Sequence, residues 1–271
     1  EFFLLPEKGW LLSGEEKILV MKDSGNGAYI VDNSGRISRV AGPLAQVENK
    51  VLKEGPGRFT VKRSGWYVTE SGERVARAET WFYFWAGTPF FKITHKLVVT
   101  EDTNKLWFRD YGLRFNTPEL PSQAYFSTGN GSESTGIVKL TPGKGDAFLV
   151  QKDYPHFAQR ESIAYAGVAE KGASEKLEKF PVAGDWAYGD YGNYGISIVM
   201  PWLAERYPKE LSFGTSGAKI VLWSGRSGHE LDYRTGTLIE EYWQDWVKQG
   251  GMQHVKPNGT PKNAQGIART H

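Results

Sequence analysis

Aromatic rings and carboxylates alternate with glycines between residues 183 and 195, where the chain reads AGDWAYGDYGNYG. An aromatic face can cover the apolar C–H face of a pyranose, and a carboxylate accepts its hydroxyl protons. Because glycine permits tight turns, the pattern predicts a loop that exposes a sugar subsite. The alternative is a glycine-rich loop whose rings tuck into the edge of a β-fold. The candidate substrate-binding residues are Trp186, Asp190, Tyr191 and Tyr194.

His95 is a candidate acid–base residue, since histidine titrates near neutral pH. It shares the parity of four apolar residues along an extended segment, namely Phe91, Ile93, Leu97 and Val99. A histidine in such a row can equally be a hydrogen-bonded core residue, and both interpretations stay open. No two histidines show metal-ligand spacing, so a histidine-only metal site is not expected. No cofactor is indicated, although carboxylates from separate loops leave calcium open.

Arginines and carboxylates supply the remaining candidates. Arg109, Arg114 and Arg160 could hold acidic sugars through bidentate contacts, or each could be a charge on a strand surface. Glycoside hydrolysis needs two placed carboxylates. The chain offers candidates for that pair by composition only, and these are Asp110, Glu161, Asp185 and Asp190.

The composition of the 271 residues excludes several classes of function. The 33 basic and 31 acidic residues give a net charge of +2, which is too balanced for a nucleic-acid or anionic-membrane partner. Cysteine is absent, so disulfides and cysteine-ligated metals are excluded. No apolar run approaches the roughly 20 residues that span a bilayer. Neither a nucleophile elbow nor a phosphate-cradling glycine loop is present.

The elements that must position these side chains are mostly strands. Two long extended segments, joined by a turn at residues 101–104, alternate with a period of two, which indicates half-buried antiparallel strands. A change of parity beside Gly112 predicts a β-bulge near Asp110. Extended segments this long and this rich in aromatic residues indicate a large curved sheet. Residues 171–179 are expected to form a loop or short helix, and residues 201–211 one or two helical turns.

One convincing helix is predicted over residues 237–251. Thr237 and Glu240 form a capping box, and an apolar stripe with two tryptophans follows. The fold class expected is therefore all-β, a large antiparallel β-sandwich with one short C-terminal amphipathic helix. Residues 1–271 are expected to form a single domain cut from a longer multidomain protein. High aromatic content, 14% with ten tryptophans, suits a sugar-polymer platform.

Several motifs together resemble one known family. Residues 84–95 resemble its Y-A-G-S-P…H-T-F strand pair, and residues 108–113 its I-R-x-x-G-L segment. Residues 195–211 resemble its G-V-x-V-x-x-x-F-W-Q-x-Y-P-K-x-L motif, and residues 264–271 its G-x-A-K-T-H-E motif. The chain departs from the pattern at Trp85, where tyrosine is usual, and at Ser224, where proline is usual. The motifs resemble the central β-sandwich of the exo-acting rhamnogalacturonan lyase-like family.

The resemblance implies a galactose-mutarotase-like supersandwich, flanked in the whole protein by a β-barrel and an α/α-toroid. It implies β-elimination on uronate-containing polysaccharide, in which a base removes the C5 proton and an acid protonates the leaving oxygen. This chain would supply one wall of the cleft and be inactive or nearly so alone. The implied catalytic candidates are His95, Arg109, Tyr188 and His271.

The resemblance also implies acidic polysaccharide as a partner, without nucleic acid or membrane, and a secreted, periplasmic or cell-surface location. Two alternatives stay open. The chain could be a stand-alone carbohydrate-binding module, or a structural domain that orients a catalytic neighbour.

Overall fold

The computed structural model describes residues 2–5, 9–13, 17–19, 26–129, 134–153, 163–170, 176–215, 217–232, 266 and 268–271. Nearly all regular structure in these residues is β-strand, which confirms the all-β prediction, with a large antiparallel sheet and a second sheet. No helix among the described residues is long and apolar enough to cross a membrane. The predicted helix at 237–251 lies outside the described residues.

The described residues form 20 β-strands. The first ten are β1 (Phe2–Leu5), β2 (Gly9–Ser13), β3 (Lys17–Leu19), β4 (Gly27–Asp32), β5 (Ile37–Arg39), β6 (Glu48–Lys53), β7 (Arg58–Val68), β8 (Arg74–Trp85), β9 (Phe91–Val99) and β10 (Phe108–Phe115). The others are β11 (Gln123–Gly129), β12 (Ser134–Leu140), β13 (Asp146–Gln151), β14 (Ala164–Ala169), β15 (Lys176–Phe180), β16 (Val182–Asp190), β17 (Gly195–Val199), β18 (Lys209–Gly214), β19 (Gly217–Trp223) and β20 (Ala268–Thr270). The described residues also contain two short 3₁₀ turns, Pro43–Ala45 and Gly225–Ser227.

The chain forms two compact units. The first contains Glu1–Tyr29 and Asp110–His229, and the second contains Ile30–Arg109 and Glu230–His271. The division concerns compactness rather than independent folding, so the expectation of one domain over residues 1–271 stays a prediction.

The first unit is a β-sandwich. One layer has the strand order β15-β14-β13-β18-β19-β10, and the other is a four-stranded sheet with the order β12-β11-β16-β17. Phe126 of the four-stranded sheet packs against Phe213 of the other layer, with ring centroids 6.3 Å apart. Both rings are buried. A separate antiparallel meander, β1-β2-β3, also belongs to this unit.

Two glycines explain local features of this sandwich. The pairing of β10 with β19 shifts register between Tyr111 and Gly112, as the predicted bulge requires. A Cβ at Gly112 would lie 2.3 Å from the carbonyl oxygen of Ile220, so only glycine fits there. Gly189 leaves space for Phe213 in the same way, since its Cβ would lie 2.7 Å from that ring.

The second unit contains one antiparallel sheet with the order β5-β7-β8-β9-β20, and β6 also pairs with β7. The period of two predicted for β9 is confirmed, because His95, Leu97 and Val99 are buried while Lys92 is exposed. The first predicted long segment is in fact two strands, β8 and β9, which pair with each other over 76–84 and 91–99.

Two local predictions are wrong, and a third holds only in part. The predicted loop at 183–195 is mainly strand β16, since small inward residues such as Ala187 and Gly189 make room for aromatic rings of the opposing layer. The predicted loop or helix at 171–179 contains strand β15, which pairs with β14.

Of the helical turns predicted at 201–211, one is present, because the Arg206 N–H donates to the Trp202 carbonyl oxygen at 3.1 Å. From Lys209 onward the chain forms β18, which is buried throughout as a central strand.

Candidate functional site

The solvent-facing side of the sheet in the second unit carries a row of aromatic rings. Along β8, Trp81, Tyr83 and Trp85 alternate with the buried residues Phe82 and Phe84. Successive side chains of a strand point to opposite faces, so three rings at intervals of two residues lie on one face. Trp81 and Tyr83 are half-buried on this face, and Trp85 is exposed.

Cations flank this row because of the strand register. Arg58 and Lys62 of β7 lie opposite Trp85 and Trp81. On the other side, Lys92 of β9 lies opposite Tyr83. We define the ring-and-cation face as this row with its flanking residues, and its members are Arg58, Lys62, Trp66, Glu79, Trp81, Tyr83, Trp85, Lys92 and Lys96.

The rings and cations of this face are in contact. The rings of Tyr83 and Trp85 are stacked, with centroids 6.5 Å apart and planes inclined by 23°. The guanidinium carbon of Arg58 lies 5.2 Å from the Tyr83 centroid and 5.9 Å from that of Trp85. The Nζ atoms of Lys92 and Lys62 lie 5.8 Å from Tyr83 and 5.0 Å from Trp81, respectively. These cation–π distances hold the long side chains over the rings.

The single carboxylate of the face, Glu79, partly neutralises the cations at one end of it. Glu79 accepts hydrogen bonds from Lys62 at 2.6 Å and from Lys96 at 3.3 Å. The hydrogen bond from Lys62, together with Lys96, lowers the pKa of Glu79. Within the part of the chain that the structure describes, no ion pair joins Arg58 or Lys92 to a carboxylate. The Tyr83–Trp85 end of the face is therefore its positively charged half.

This arrangement suits a sugar that carries an acidic group. Flat rings at intervals along a strand can cover the apolar faces of pyranose residues, and the adjacent cations attract carboxylate or sulfate groups. Phe90, in the turn between β8 and β9, is 69% exposed and adds a further ring in the same unit.

Two of the candidate substrate-binding residues and one catalytic candidate come together on the first unit. Trp186, Tyr188 and Asp190 share the outward parity of β16, and Tyr188 lies opposite Tyr125 of β11 with ring centroids 5.9 Å apart. The Nζ atom of Lys139 lies 5.5 Å from the Tyr125 centroid. We define the small-sheet face as the outward residues of this sheet, which are Tyr125, Ile137, Lys139, Trp186, Tyr188, Asp190 and Val199.

The other two predicted rings lie in the turn that joins β16 to β17. Tyr191 and Tyr194 stack with ring centroids 4.8 Å apart and an interplanar angle of 4°. Tyr191 is buried, and burial raises the pKa of its hydroxyl to about 12. Asp190 accepts a hydrogen bond from the Gly192 N–H at 2.9 Å, which fixes the turn. These contacts favour the alternative in which the two tyrosines pack into the fold.

His95 is a core residue in its geometry. It is 1% exposed, and its two ring nitrogens lie 2.8 Å from the hydroxyl oxygens of Tyr67 and Thr80. Burial lowers the pKa of His95 to about 4, so the imidazole is neutral at pH 7. Both nitrogens have partners inside the unit, which matches the interpretation of a hydrogen-bonded core histidine.

The other catalytic candidates do not gather around one point within the second unit. His271 exchanges two backbone hydrogen bonds with His95, at 2.9 and 2.8 Å, as an extension of the β9–β20 pairing. Arg109 is half-exposed and pairs with Glu230 at 2.9 Å, and Trp107 donates to the same carboxylate at 2.6 Å. Tyr188 belongs to the first unit. Their catalytic roles stay predictions.

Two carboxyl groups of the first unit, the half-buried Asp110 and the buried Glu210, lie at one turn, and only Asp110 was anticipated from the sequence. Asp110 accepts hydrogen bonds from the Tyr29 hydroxyl at 2.7 Å and from the Gly225 N–H at 3.0 Å. Glu210 accepts from the Ser224 hydroxyl at 2.7 Å. Burial raises the pKa of Asp110, and it raises the pKa of Glu210 to about 7. Together the two carboxyl groups hold the turn that follows β19.

Glu210 was missed because it lies in the segment read as helical turns, and no local spacing relates it to Asp110. Arg226 lies 3.5 Å from the second oxygen of Glu210 and partly balances its charge. Among the described residues, no group of three or more histidine, aspartate or glutamate side chains could hold a metal ion.

Comparison with models of known protein families gives no match to this chain. Comparison with curated protein sequences gives none either.

Proposed function

We propose that the chain binds acidic polysaccharide through the ring-and-cation face. The observation that carries this proposal is the row of Trp81, Tyr83 and Trp85, which is held on a solvent-facing strand surface between Arg58 and Lys92. Rings that served only the core would lie on the opposite parity of β8, where Phe82 and Phe84 already lie.

The electrostatics of the face favour an anionic ligand over a neutral one. Lys62 and Lys96 are neutralised in part by Glu79, whereas Arg58 and Lys92 carry no carboxylate partner in the described residues. Exposed charges interact across water, so their attraction falls as salt screens it, over about 10 Å at 0.1 M ionic strength. Binding is therefore expected to be specific for acidic polymers and to weaken with added salt.

The test is affinity electrophoresis of the whole chain in gels that contain pectin or an uncharged polysaccharide. We expect retardation by pectin only, and clearly weaker retardation in Arg58→Gln. Lys105→Gln is the matched control, since Lys105 is 84% exposed, lies outside the face and pairs only loosely with Asp102 at 3.9 Å. Equal mobility of wild type in the two gels would contradict the proposal.

The second candidate is β-elimination on uronate-containing polysaccharide within a longer lyase-like protein. It is supported by the motif resemblance and by a face that suits uronates. In this proposal an α/α-toroid and a β-barrel of the longer protein complete the cleft, and the protein is secreted, periplasmic or on the cell surface. The unsaturated product of β-elimination absorbs in the ultraviolet, so its appearance with the longer protein, and not with this chain, is the expected result.

A further inference from the structure

Trp202 adopts a backbone conformation that tryptophan rarely has. Its φ angle is 58°, in the left-handed region, where the Cβ atom of an L-residue approaches the carbonyl oxygen. Only Gln46 shares such an angle among the non-glycine residues that the structure describes. A bulky residue in this region is strained, and such strain persists where the surroundings impose it.

The surroundings of Trp202 do impose this conformation. The Asp185 carboxylate accepts hydrogen bonds from the N–H groups of Trp202 at 3.1 Å and Leu203 at 3.0 Å. The carbonyl oxygen of Asp185 also accepts from the Met200 N–H at 2.7 Å. Leu203 and Ala204 are buried immediately afterwards, so the turn is anchored on both sides.

The ring of Trp202 gains little from the fold in return. It is 60% exposed, and the neighbouring Val199 is 66% exposed. Glycine would adopt the same φ angle without strain. A side chain that strains the backbone and does not enter the core is explained most simply by a contact outside the chain.

Arg206 defines the chemistry of that contact. Its guanidinium carbon lies 5.1 Å from the centroid of the Trp202 ring, and the Arg206 N–H bonds to the Trp202 carbonyl oxygen at 3.1 Å. The residue nevertheless stays 60% exposed beside the cation, so most of its surface remains in contact with solvent. An aromatic face beside a guanidinium group repeats the combination found at Tyr83 and Arg58.

We infer that Trp202 and Arg206 form a second contact for acidic polysaccharide, on the first unit, in which the indole stacks on a pyranose and the guanidinium pairs with its acidic group. This inference rests on the proposed function and adds a separate site to it. Two contacts on one chain raise the affinity for a polymer long enough to reach both, because the second binding event becomes intramolecular. A short oligosaccharide gains nothing from the second contact.

The experiment compares Trp202→Gly with wild type for thermal unfolding and for binding of pectin and of short galacturonate oligomers. Because glycine removes the strain, we expect an unfolding midpoint at least as high as that of wild type, rising by about 2 to 4 °C. We expect pectin affinity to fall about fivefold or more by loss of the intramolecular contact. Binding of the short oligomers by the ring-and-cation face is expected to remain unchanged.

Arg206→Gln is expected to weaken pectin binding in the same way, whereas Trp202→Phe keeps a ring and should retain most of it. The inference is overturned if Trp202→Gly lowers the unfolding midpoint, since the ring would then stabilise the fold, or if it binds pectin as wild type does. Arg58→Gln in the same assay separates the two proposals. If Arg58→Gln binds pectin as wild type does, the proposed function is contradicted. If Arg58→Gln weakens pectin binding while Trp202→Gly and Arg206→Gln do not, only the second contact is contradicted.

Discussion

The ring-and-cation face and the small-sheet face are built by the same alternation of exposed rings and buried apolar residues, but they differ in charge. On the first, Tyr83 has Arg58 and Lys92 beside it. On the second, Lys139 is the one cation that the described residues place over Tyr125. Asp190 of the same face accepts a hydrogen bond from the Gly192 N–H within a turn. The difference shows that the alternation along a strand exposes the rings, while the residues opposite them in the register decide which charge lies beside the rings.

The interiors of the two units differ in a parallel way. The second unit buries a base, His95, whose pKa falls to about 4. The first unit buries an acid, Glu210, whose pKa rises to about 7. Each group is neutral at mildly acidic pH in the folded state, but both are charged there in the unfolded chain, because the ordinary pKa values are 6.5 for histidine and 4.5 for glutamate. Folding therefore responds to acid with opposite sign in the two units.

The largest expected effect comes from removing two rings of the ring-and-cation face. If each ring contributes about 1.4 kcal/mol, Trp81→Ala with Tyr83→Ala weakens pectin binding about a hundredfold. Tyr125→Ala with Tyr188→Ala is the matched change on the small-sheet face, and we expect a loss below about threefold. Isothermal titration calorimetry measures both. Equal losses of affinity in the two double variants would show that the two faces do not differ in pectin binding.

The pH dependence of stability tests the comparison between the interiors. His95 is depressed from 6.5 to about 4, so the unfolded chain takes up a proton that the folded chain refuses as the pH falls below 6.5. This costs stability, by about 2 kcal/mol between pH 8 and pH 5. Glu210 is raised from 4.5 to about 7, so its contribution is present below pH 4.5 and is lost as the pH rises through about 7. Over the same interval, acid therefore stabilises through Glu210.

Urea unfolding at pH 8 and pH 5 reports both signs. His95→Gln should lose less free energy of unfolding between pH 8 and pH 5 than wild type does, because it has no histidine at this position to be protonated in the unfolded chain. Glu210→Gln should show the opposite change. The two variants share the same neutral replacement, so each controls for the other. Parallel pH profiles in all three proteins would show that neither side chain titrates as the structure indicates.

Removal of one unpaired cation has a smaller expected effect. Lys92→Gln should weaken pectin binding about threefold to fivefold at low salt, in line with an exposed ion pair of up to 1 kcal/mol. The loss should shrink as salt is added, since screening weakens the same attraction in wild type. Binding measured at two salt concentrations checks this. A salt-independent loss would mean that the lysine acts through packing and not through charge.

The smallest expected effect is a gain. Glu79→Gln removes the carboxylate that pairs with Lys62 and Lys96, and freeing these two half-buried lysines should raise pectin affinity about twofold. Asp190→Asn is the matched control on the small-sheet face, because it removes a carboxylate without freeing a lysine, and we expect no gain. Weaker binding by Glu79→Gln would show that the carboxylate itself contacts the ligand.

The sequence predicted most of the strands because their period of two is local. The bulge beside Gly112 and the core parity of His95 were predicted for the same reason. Strand β16 was missed because its inward positions are glycine and alanine, a pattern that is also typical of a loop. The reason for the small residues is the opposing ring of Phe213, which the sequence does not show. Small residues facing large rings across a sandwich are a tertiary relation that composition does not reveal.

The candidate site was less predictable for a related reason. Trp81, Tyr83 and Trp85 share a parity that the sequence shows, but the cations beside them depend on the register of β7 and β9. The contact between Asp110 and the turn after β19 joins residues more than a hundred positions apart. The strained Trp202 has no local sequence signal, since its φ angle follows from the Asp185 carboxylate.

The most direct test of the central claim is hydroxyl-radical footprinting of the chain, read out by mass spectrometry, with and without pectin. We expect pectin to protect Trp81, Tyr83 and Trp85 from oxidation and to leave Tyr125 and Tyr188 as reactive as before. Protection confined to Tyr125 and Tyr188, or no protection of the β8 rings at a pectin concentration that retards the protein in gels, would contradict it.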